Sequence, residues 1–195
     1  MYRVTDADKP IVIAIVGNSG TGKTTLAKFL QDADLFKTLV SYTTRPMRDN
    51  EIDGVDHYFV NESKMPDNFD MLAYTYFGNN HYWTEWKDIM DDIQYPMVYV
   101  IDEAGLLNLF ELQEKNRIDV IWVQVNRNNL DTIDEERKNR DSIREDAQHI
   151  MYKMGYTKPH IIVDNDFTIE AAGFRLGEDI INCIRYYYQK AIVRR

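Results

Sequence analysis

Ile11-Val-Ile-Ala-Ile-Val16 runs directly into Gly17-Asn-Ser-Gly-Thr-Gly-Lys-Thr24, and this stretch decides the fold. Six consecutive apolar residues, most of them β-branched, predict a strand buried on both faces, the habit of a parallel sheet. Gly17 to Gly22 form a tight glycine loop. Lys23 to Asp32 then read as a helix with Leu26, Phe29 and Leu30 on one face. The loop obeys G-x-x-x-x-G-K-[ST], placed after a strand and before a helix. Its glycines let successive backbone N–H groups turn inward around phosphate oxygens, and the helix N-terminus adds its dipole. An ordinary glycine turn capping a helix would not need the lysine and hydroxyl that follow. Gly17, Asn18, Ser19, Gly20, Thr21, Gly22, Lys23, Thr24 and Thr25 are therefore the candidate ATP-binding residues. Lys23 is suited to the β- and γ-phosphates, and the Thr24 hydroxyl to Mg²⁺.

Working outward, apolar runs recur at Thr38–Tyr42, Met97–Ile101, Val120–Val125 and His160–Val163. Helical patterns separate several of them, at Ala104 to Glu114, roughly Leu130 to Met154, and Ile169 to about Lys190. Strand alternating with helix implies right-handed crossovers. The expected fold is α/β, a P-loop NTPase-type three-layer sandwich around a parallel five-stranded core sheet. Residues 43–92 interrupt this pattern. They are polar and aromatic-rich, with strand-like pieces at His57–Val60, Leu72–Phe77 and His81–Thr84. A short helix follows, with Trp86, Ile89, Met90 and Ile93 on one stripe. The segment is read as an inserted lobe, because so many aromatics belong to a packed structure. The expected organisation is a single domain over residues 1–195, with core 1–42 and 93–195 and inserted lobe 43–92.

Composition sets the partners. The 195 residues carry 23 Lys and Arg against 32 Asp and Glu, a formal charge of −9. So acidic a surface argues against a nucleic-acid polymer or an anionic membrane as partner, since both need positive charge. An anionic ligand must be held by a local cluster of donors. The single cysteine, Cys183, permits neither an intramolecular disulfide nor a thiolate zinc cluster. It falls on a stripe with Leu176, Ile180, Ile184 and Tyr187 and reads as a core thiol. No secretory h-region opens the sequence, and the longest apolar run is far short of the ~20 residues of a membrane span. A cytoplasmic protein is expected, as a monomer or homodimer.

Val98-Tyr-Val-Ile-Asp102 supplies a carboxylate where a buried strand leaves the sheet. Asp102 suits Mg²⁺ together with Thr24, with Glu103 as the adjacent fallback, or the ordinary duty of capping the next helix. Ser41-Tyr-Thr-Thr-Arg-Pro-Met-Arg48 places two arginines three apart beside hydroxyls, a fork of donors suited to a phosphate monoester. The competing reading pairs these arginines with Glu51 or Asp53 as surface ion pairs.

With Glu51-Ile-Asp-Gly54 and Asp56-His-Tyr-Phe-Val60, this segment resembles the guanylate kinase family, which carries S-x-T-T-R-x-x-R, then G-E-x-x-G and Y-x-F-V. The resemblance covers most of the chain and is sharpest in the first 60 residues. It implies an ATP- and Mg²⁺-dependent nucleoside monophosphate kinase with GMP or dGMP as acceptor. The lobe would bind the monophosphate, and a helical lid at about residues 127–146 would close over the phosphates. By the family's pattern, Arg45, Arg48 and Tyr82 bind the acceptor's phosphate and Ser41 its base; His57, Thr84 and Asp102 are further candidate acceptor-binding residues. Lys23 and Arg45 act in catalysis with the lid arginines Arg140 and Arg144, which fall with Arg137 on one helical face. The alternative for that helix is a solvated face with a Glu136–Arg140 pair.

Four departures stand out. Asn50 replaces the glycine before Glu51, and His57 stands where the family has a phosphate-binding tyrosine. Trp83 replaces a glycine, and Ala73 aligns with the acid that reads guanine. Losing that partner would cost discrimination, with Asp70, Tyr76, His81 or Thr84 as possible substitutes. A kinase for a different or modified nucleoside monophosphate is thus a second reading. A non-catalytic phosphopeptide-binding module of the same family is a third, disfavoured by the complete phosphate loop. The tyrosines of Arg185-Tyr-Tyr-Tyr188 are read as packing in a partly buried terminal helix.

Overall fold

The computed structural model describes residues 1–18, 20–126, 152, 155–156, 158–164 and 168–194. The expected first core strand is β2 (Ile11–Val16), buried at all six positions, and it follows a short β1 (Tyr2–Thr5). The glycine loop leads into α1 (Lys23–Asp32). Then come β3 (Lys37–Thr38), β4 (Tyr42–Thr43), β5 (Tyr58–Phe59), β6 (Met71–Phe77), β7 (Asn80–Glu85) and α2 (Lys87–Met90). The chain returns to the core through β8 (Met97–Val100), α3 (Glu103–Glu114), β9 (Asp119–Asn126) and β10 (Ile161–Asp164). It closes with α4 (Ile169–Tyr187) and β11 (Ala191–Arg194).

The core sheet has the order β10-β9-β2-β8-β3, and every neighbouring pair is parallel. The period-two alternation of β2 sorts its side chains between two layers. Ile11, Ile13 and Ile15 join Leu26 and Leu30 of α1 and Leu176, Ile180 and Ile184 of α4 in one apolar cluster. Val12, Ala14 and Val16 join Leu106, Leu109 and Phe110 of α3 in the other. The result is the expected three-layer sandwich. Cys183 lies in the first cluster, 6% exposed, where burial pushes its thiol up to about 11.

The inserted lobe builds its own sheet, β5-β4-β7-β6, antiparallel except for the β4–β5 pair. The apolar run read as one strand from Thr38 to Tyr42 is divided. Lys37 and Thr38 pair with β8, whereas Tyr42 and Thr43 pair in the lobe. The chain thus leaves the core between Leu39 and Ser41, so that Ser41 stands at the junction.

Some expectations fail locally. The stripe from Trp86 to Ile93 shrinks to four helical residues, with Ile89 fully buried but Met90 49% exposed. Beyond Met90 the chain runs through a turn in which Tyr95 N donates to Asp92 O before it reaches Pro96 and β8. At the C-terminus Tyr186 and Tyr187 are exposed, and the stripe with Cys183 ends at Ile184. Only the part-buried Tyr188 behaves as anticipated, donating its hydroxyl to Val120 O at 2.5 Å. The antiparallel β1–β11 ribbon was not foreseen, because each four-residue strand depends on the opposite end of the chain. The expected lid helix, with Arg137, Arg140 and Arg144, lies outside the described residues, as does Ser19. Among the described residues, no helix is long and apolar enough to cross a membrane.

Candidate active site

The phosphate loop takes its shape from three glycines at positive φ: Gly17 (151°), Gly20 (81°) and Gly22 (91°). At Gly17 a Cβ would stand 2.3 Å from the carbonyl oxygen of Val125 in β9, so no side chain fits there. Gly22 is the N-cap of α1 and offers no side-chain cap. Helix-start N–H groups so arranged serve an anion well. Lys23 folds over the loop, its Nζ donating to the carbonyls of Gly17 (2.6 Å) and Asn18 (2.7 Å). Thr21 is buried and donates its hydroxyl to Asn18 O at 3.0 Å, tightening the turn. Thr24 and Thr25 are exposed at the helix start.

A cavity of about 420 Å³ opens beside this helix start, between α1, the lobe and the end of β8. Thr24, Ser41, Arg45, Arg48, His57, Tyr82 and Asp102 all line it, so one site gathers residues drawn from five separate stretches of the chain.

Arg45 follows β4 and is nearly enclosed. Its two terminal nitrogens donate to both oxygens of Glu51, at 2.7 and 2.9 Å, while its guanidinium lies 5.4 Å over the Phe59 ring. These bonds hold the Glu51 carboxyl at about 2, well below its ordinary range. Glu51 also accepts from Arg48 N at 2.9 Å, closing the loop between the two arginines. The ion pair read from the sequence as an alternative to phosphate binding therefore exists at Arg45, but inside the cavity. Arg48 differs: its side chain is 57% exposed and meets Glu51 at 4.0 Å.

His57 stands with Nδ1 2.8 Å from Ser41 Oγ and its ring edge-on to Phe59 and Tyr82. Burial, and then the charge of Arg45, hold this imidazole below its ordinary value, which keeps it neutral near pH 7. Tyr82 hydrogen-bonds toward Arg45 and helps keep that guanidinium charged.

Asp102 performs the capping duty weighed for it, and it also lines the cavity. Its Oδ1 caps α3 by accepting from Gly105 N at 2.7 Å, and it also accepts the Thr75 hydroxyl at 3.0 Å. Asp102 and Thr24 line the same cavity, and carboxylate and hydroxyl oxygens are the hard donors Mg²⁺ takes beside phosphate and water. The residues present fit that ion. Among the described residues, no three His, Cys, Asp or Glu side chains gather as a ready-made metal cage.

Thr84 does not join the cavity. It is fully buried, 3.5 Å from the Tyr99 hydroxyl, one pleat deeper on the strand than Tyr82. Ala73 is likewise buried in the core, and β6 presents Thr75, Tyr76 and Phe77 to the cavity instead. His81 is engaged with the Tyr74 hydroxyl at 2.9 Å and with Glu62, away from the cavity lining. Asp70 is exposed and outside the lining too.

Among the lining residues that no motif marks, two polar ones hold partners at the cavity. Lys28 of α1 reaches Asp56 of the lobe at 3.0 Å, and Thr75 holds Asp102. The signal for Lys28 was its spacing, one helical turn beyond Thr24 on the face opposite Leu26 and Leu30. For Thr75 no local signal exists, because its partner lies in another element.

The guanylate kinase family model matches residues 7–176. A guanylate kinase of Chlamydia felis is 32% identical over 147 residues, covering 71% of this chain and 69% of its own. One from Protochlamydia amoebophila is 37% identical over 102 residues, or 49% of this chain and 52% of the relative. This chain thus spans about half the length of the first curated relatives it matches. In three dimensions it resembles guanylate kinase from Anaplasma phagocytophilum, with a TM-score of 0.63 at 17% identity over 97% of this chain and 95% of the other. That likeness concerns the fold; the sequence match concerns descent, and by it the chain belongs to the guanylate kinase family.

Proposed function

We propose that this protein is an ATP-dependent nucleoside monophosphate kinase that transfers the γ-phosphate of ATP to GMP or dGMP, yielding ADP and the nucleoside diphosphate. The observation that carries this reading is the meeting of Thr24, from the phosphate loop's helix, with Arg45 and Arg48 around one cavity. A donor phosphate on the loop and an acceptor phosphate on the arginines would face each other there. Phosphoryl transfer depends mainly on such positioning and on charge stabilisation. The acceptor phosphate is already anionic at neutral pH, so no general base is needed.

The division of labour follows. Backbone N–H groups of residues 17–24 and the Lys23 ammonium hold the β- and γ-phosphates. Thr24 and Asp102 would hold Mg²⁺, which supplies charge neutralisation on the donor phosphates. Arg45, fixed by Glu51, and the more exposed Arg48 hold the acceptor phosphate, with Tyr82 and His57 alongside. Arg140 and Arg144, in the lid proposed at about residues 127–146, complete the charge stabilisation. The lobe of residues 43–92 and the core of residues 1–42 and 93–195 would work together as one domain. ATP as donor suits a cytoplasmic setting.

A second reading is favoured by Ala73, whose burial leaves β6 without a carboxylate at the cavity. On that reading the acceptor is a different or modified nucleoside monophosphate. Glu51 and Asp56 are occupied by Arg45 and Lys28; of the two further acids on the lining, Asp102 and Glu103, this reading takes Asp102 to meet a base N–H.

The test is coupled ADP release with ATP, Mg²⁺ and a panel of ribo- and deoxynucleoside monophosphates. Turnover with GMP or dGMP above all others supports the first reading, and preference for another base supports the second. No turnover with any acceptor, in folded protein, would sink both and leave the non-catalytic module.

A further inference from the structure

The charges around His57 are nearly all spent on one another. Arg45 is paired through two hydrogen bonds with Glu51. Asp56, one residue before His57, is paired with Lys28 and accepts from Ile52 N at 3.0 Å. Asp53 accepts from Phe59 N. Of the two arginines, only Arg48 keeps its side chain largely in solvent, 4.0 Å from the carboxylate that Arg45 already holds. From β7, Tyr82 brings a neutral hydroxyl. From the junction of core and lobe, Ser41 brings another, 2.8 Å from Nδ1. Burial and Arg45 act against a proton on the ring, and Glu51 and Asp56, already neutralised, oppose them only weakly.

A phosphate monoester with second pKa near ~6 enters as a dianion at pH 7.5. With Arg45 balanced by Glu51, and Lys28 by Asp56, Arg48 alone does not match the dianion, and Asp102 and Glu103 on the same cavity lining add negative charge to the site. His57 is the group there able to take up a compensating proton near neutral pH. Among the described residues the ring's hydrogen bonding goes to Ser41 alone, which leaves donor capacity for a ligand oxygen.

We propose that His57 is a proton-linked specificity residue of the acceptor pocket: binding of a nucleoside monophosphate's dianionic phosphate draws a proton from solvent onto its imidazole, which then donates to the phosphate. This rests on the acceptor site proposed above. It makes the pocket select for a phosphate dianion by charge balance, and it makes affinity fall as pH rises.

The experiment is calorimetric titration of the full chain with GMP, without ATP, at pH 7.5 in two buffers of different ionisation heat. The wild type should take up about 0.5 to 1 proton more than His57→Asn, which can hydrogen-bond but cannot titrate near pH 7. Guanosine, lacking the phosphate, should cause no such uptake. Between pH 7 and 8.5 the wild type should lose up to about tenfold in affinity per pH unit, and His57→Asn should stay nearly flat. Equal proton uptake by the two proteins, both binding GMP, overturns this proposal and leaves the kinase reading intact. Failure of the wild type to bind any nucleoside monophosphate overturns both. Should His57→Asn not fold, histidine NMR of the wild type needs no variant. One of the four histidines should titrate at higher pH with GMP bound, and if none moves upward the proposal is refuted.

Discussion

Lys28 of α1 and Asp56 of the inserted lobe meet at 3.0 Å across the cavity that Arg45 and Tyr82 line. This ion pair ties the core to the lobe beside the acceptor site. Burial works against ionising Asp56, but the Ile52 N–H and the Lys28 ammonium outweigh it and hold its carboxyl below the ordinary value. Lys28 is 46% exposed, so its contribution to global stability is small. Lys28→Met should therefore leave the melting transition almost unchanged. The lost tie should raise KM for the acceptor by about two- to fivefold, equivalent to ~0.5–1 kcal/mol. It should also blunt the dependence of KM on ionic strength. A lower melting temperature with unchanged KM would show the pair to be merely structural.

Glu51 offers a pH test. Its carboxyl is held at about 2 in the folded protein by the Arg45 hydrogen bonds, against an ordinary 4.5. A depressed folded pKa contributes stability that is present above pH 4.5 and lost as pH falls toward 2. The difference in unfolding free energy between wild type and Glu51→Gln should be about 1–3 kcal/mol at pH 7 and should shrink below pH 4.5. Because Gln cannot hold both guanidinium nitrogens as a charged fork, KM for the acceptor should rise too. Urea melts at pH 3 and pH 7 check the first expectation, and steady-state kinetics the second.

The legible parts of this molecule were those whose cause is local. Ile11–Val16 and the loop after it disclose strand, turn and helix because the burial pattern and the glycines are contiguous. The polar, aromatic-rich interruption marks the segment that builds a separate sheet, and Arg45, Arg48 and Tyr82 line one cavity. What stayed illegible depends on distant partners. Thr84 shares a strand face with Tyr82, yet its depth is set by Tyr99, fifteen positions on. Tyr42 was continuous in sequence with Thr38 but pairs with Trp83. Thr75 gains its role from Asp102, and nothing beside Thr75 in the chain foretells it.

Lys23 donates to two loop carbonyls and belongs to neither apolar cluster. Lys23→Met keeps the stem and removes the charge. It should leave circular dichroism and melting temperature nearly unchanged while lowering kcat by a factor on the order of 10² to 10³. Retained kcat in that variant would remove Lys23 from the phosphate-handling residues.

Asp102 is the harder case, because its carboxylate both caps α3 and lines the cavity, and substitutions must separate the two. Asp102→Asn keeps an amide oxygen that can accept from Gly105 N and the Thr75 hydroxyl, so stability should change by less than ~0.5 kcal/mol. Asp102→Ala loses the cap and should cost about 1 kcal/mol. If the charge itself serves the ligand or Mg²⁺, both variants should lose at least ~tenfold in kcat/KM, and the loss should not track the stability difference. Thr75→Val then asks whether orientation matters. It removes one hydrogen bond of ~1 kcal/mol at nearly constant volume, so kcat/KM should fall about fivefold, with recovery in Thr75→Ser. Melting temperatures and steady-state kinetics on the four variants decide the matter. A loss of activity in Asp102→Ala alone would mean that Asp102 acts only as the cap of α3, and the cavity would have to find its acid elsewhere.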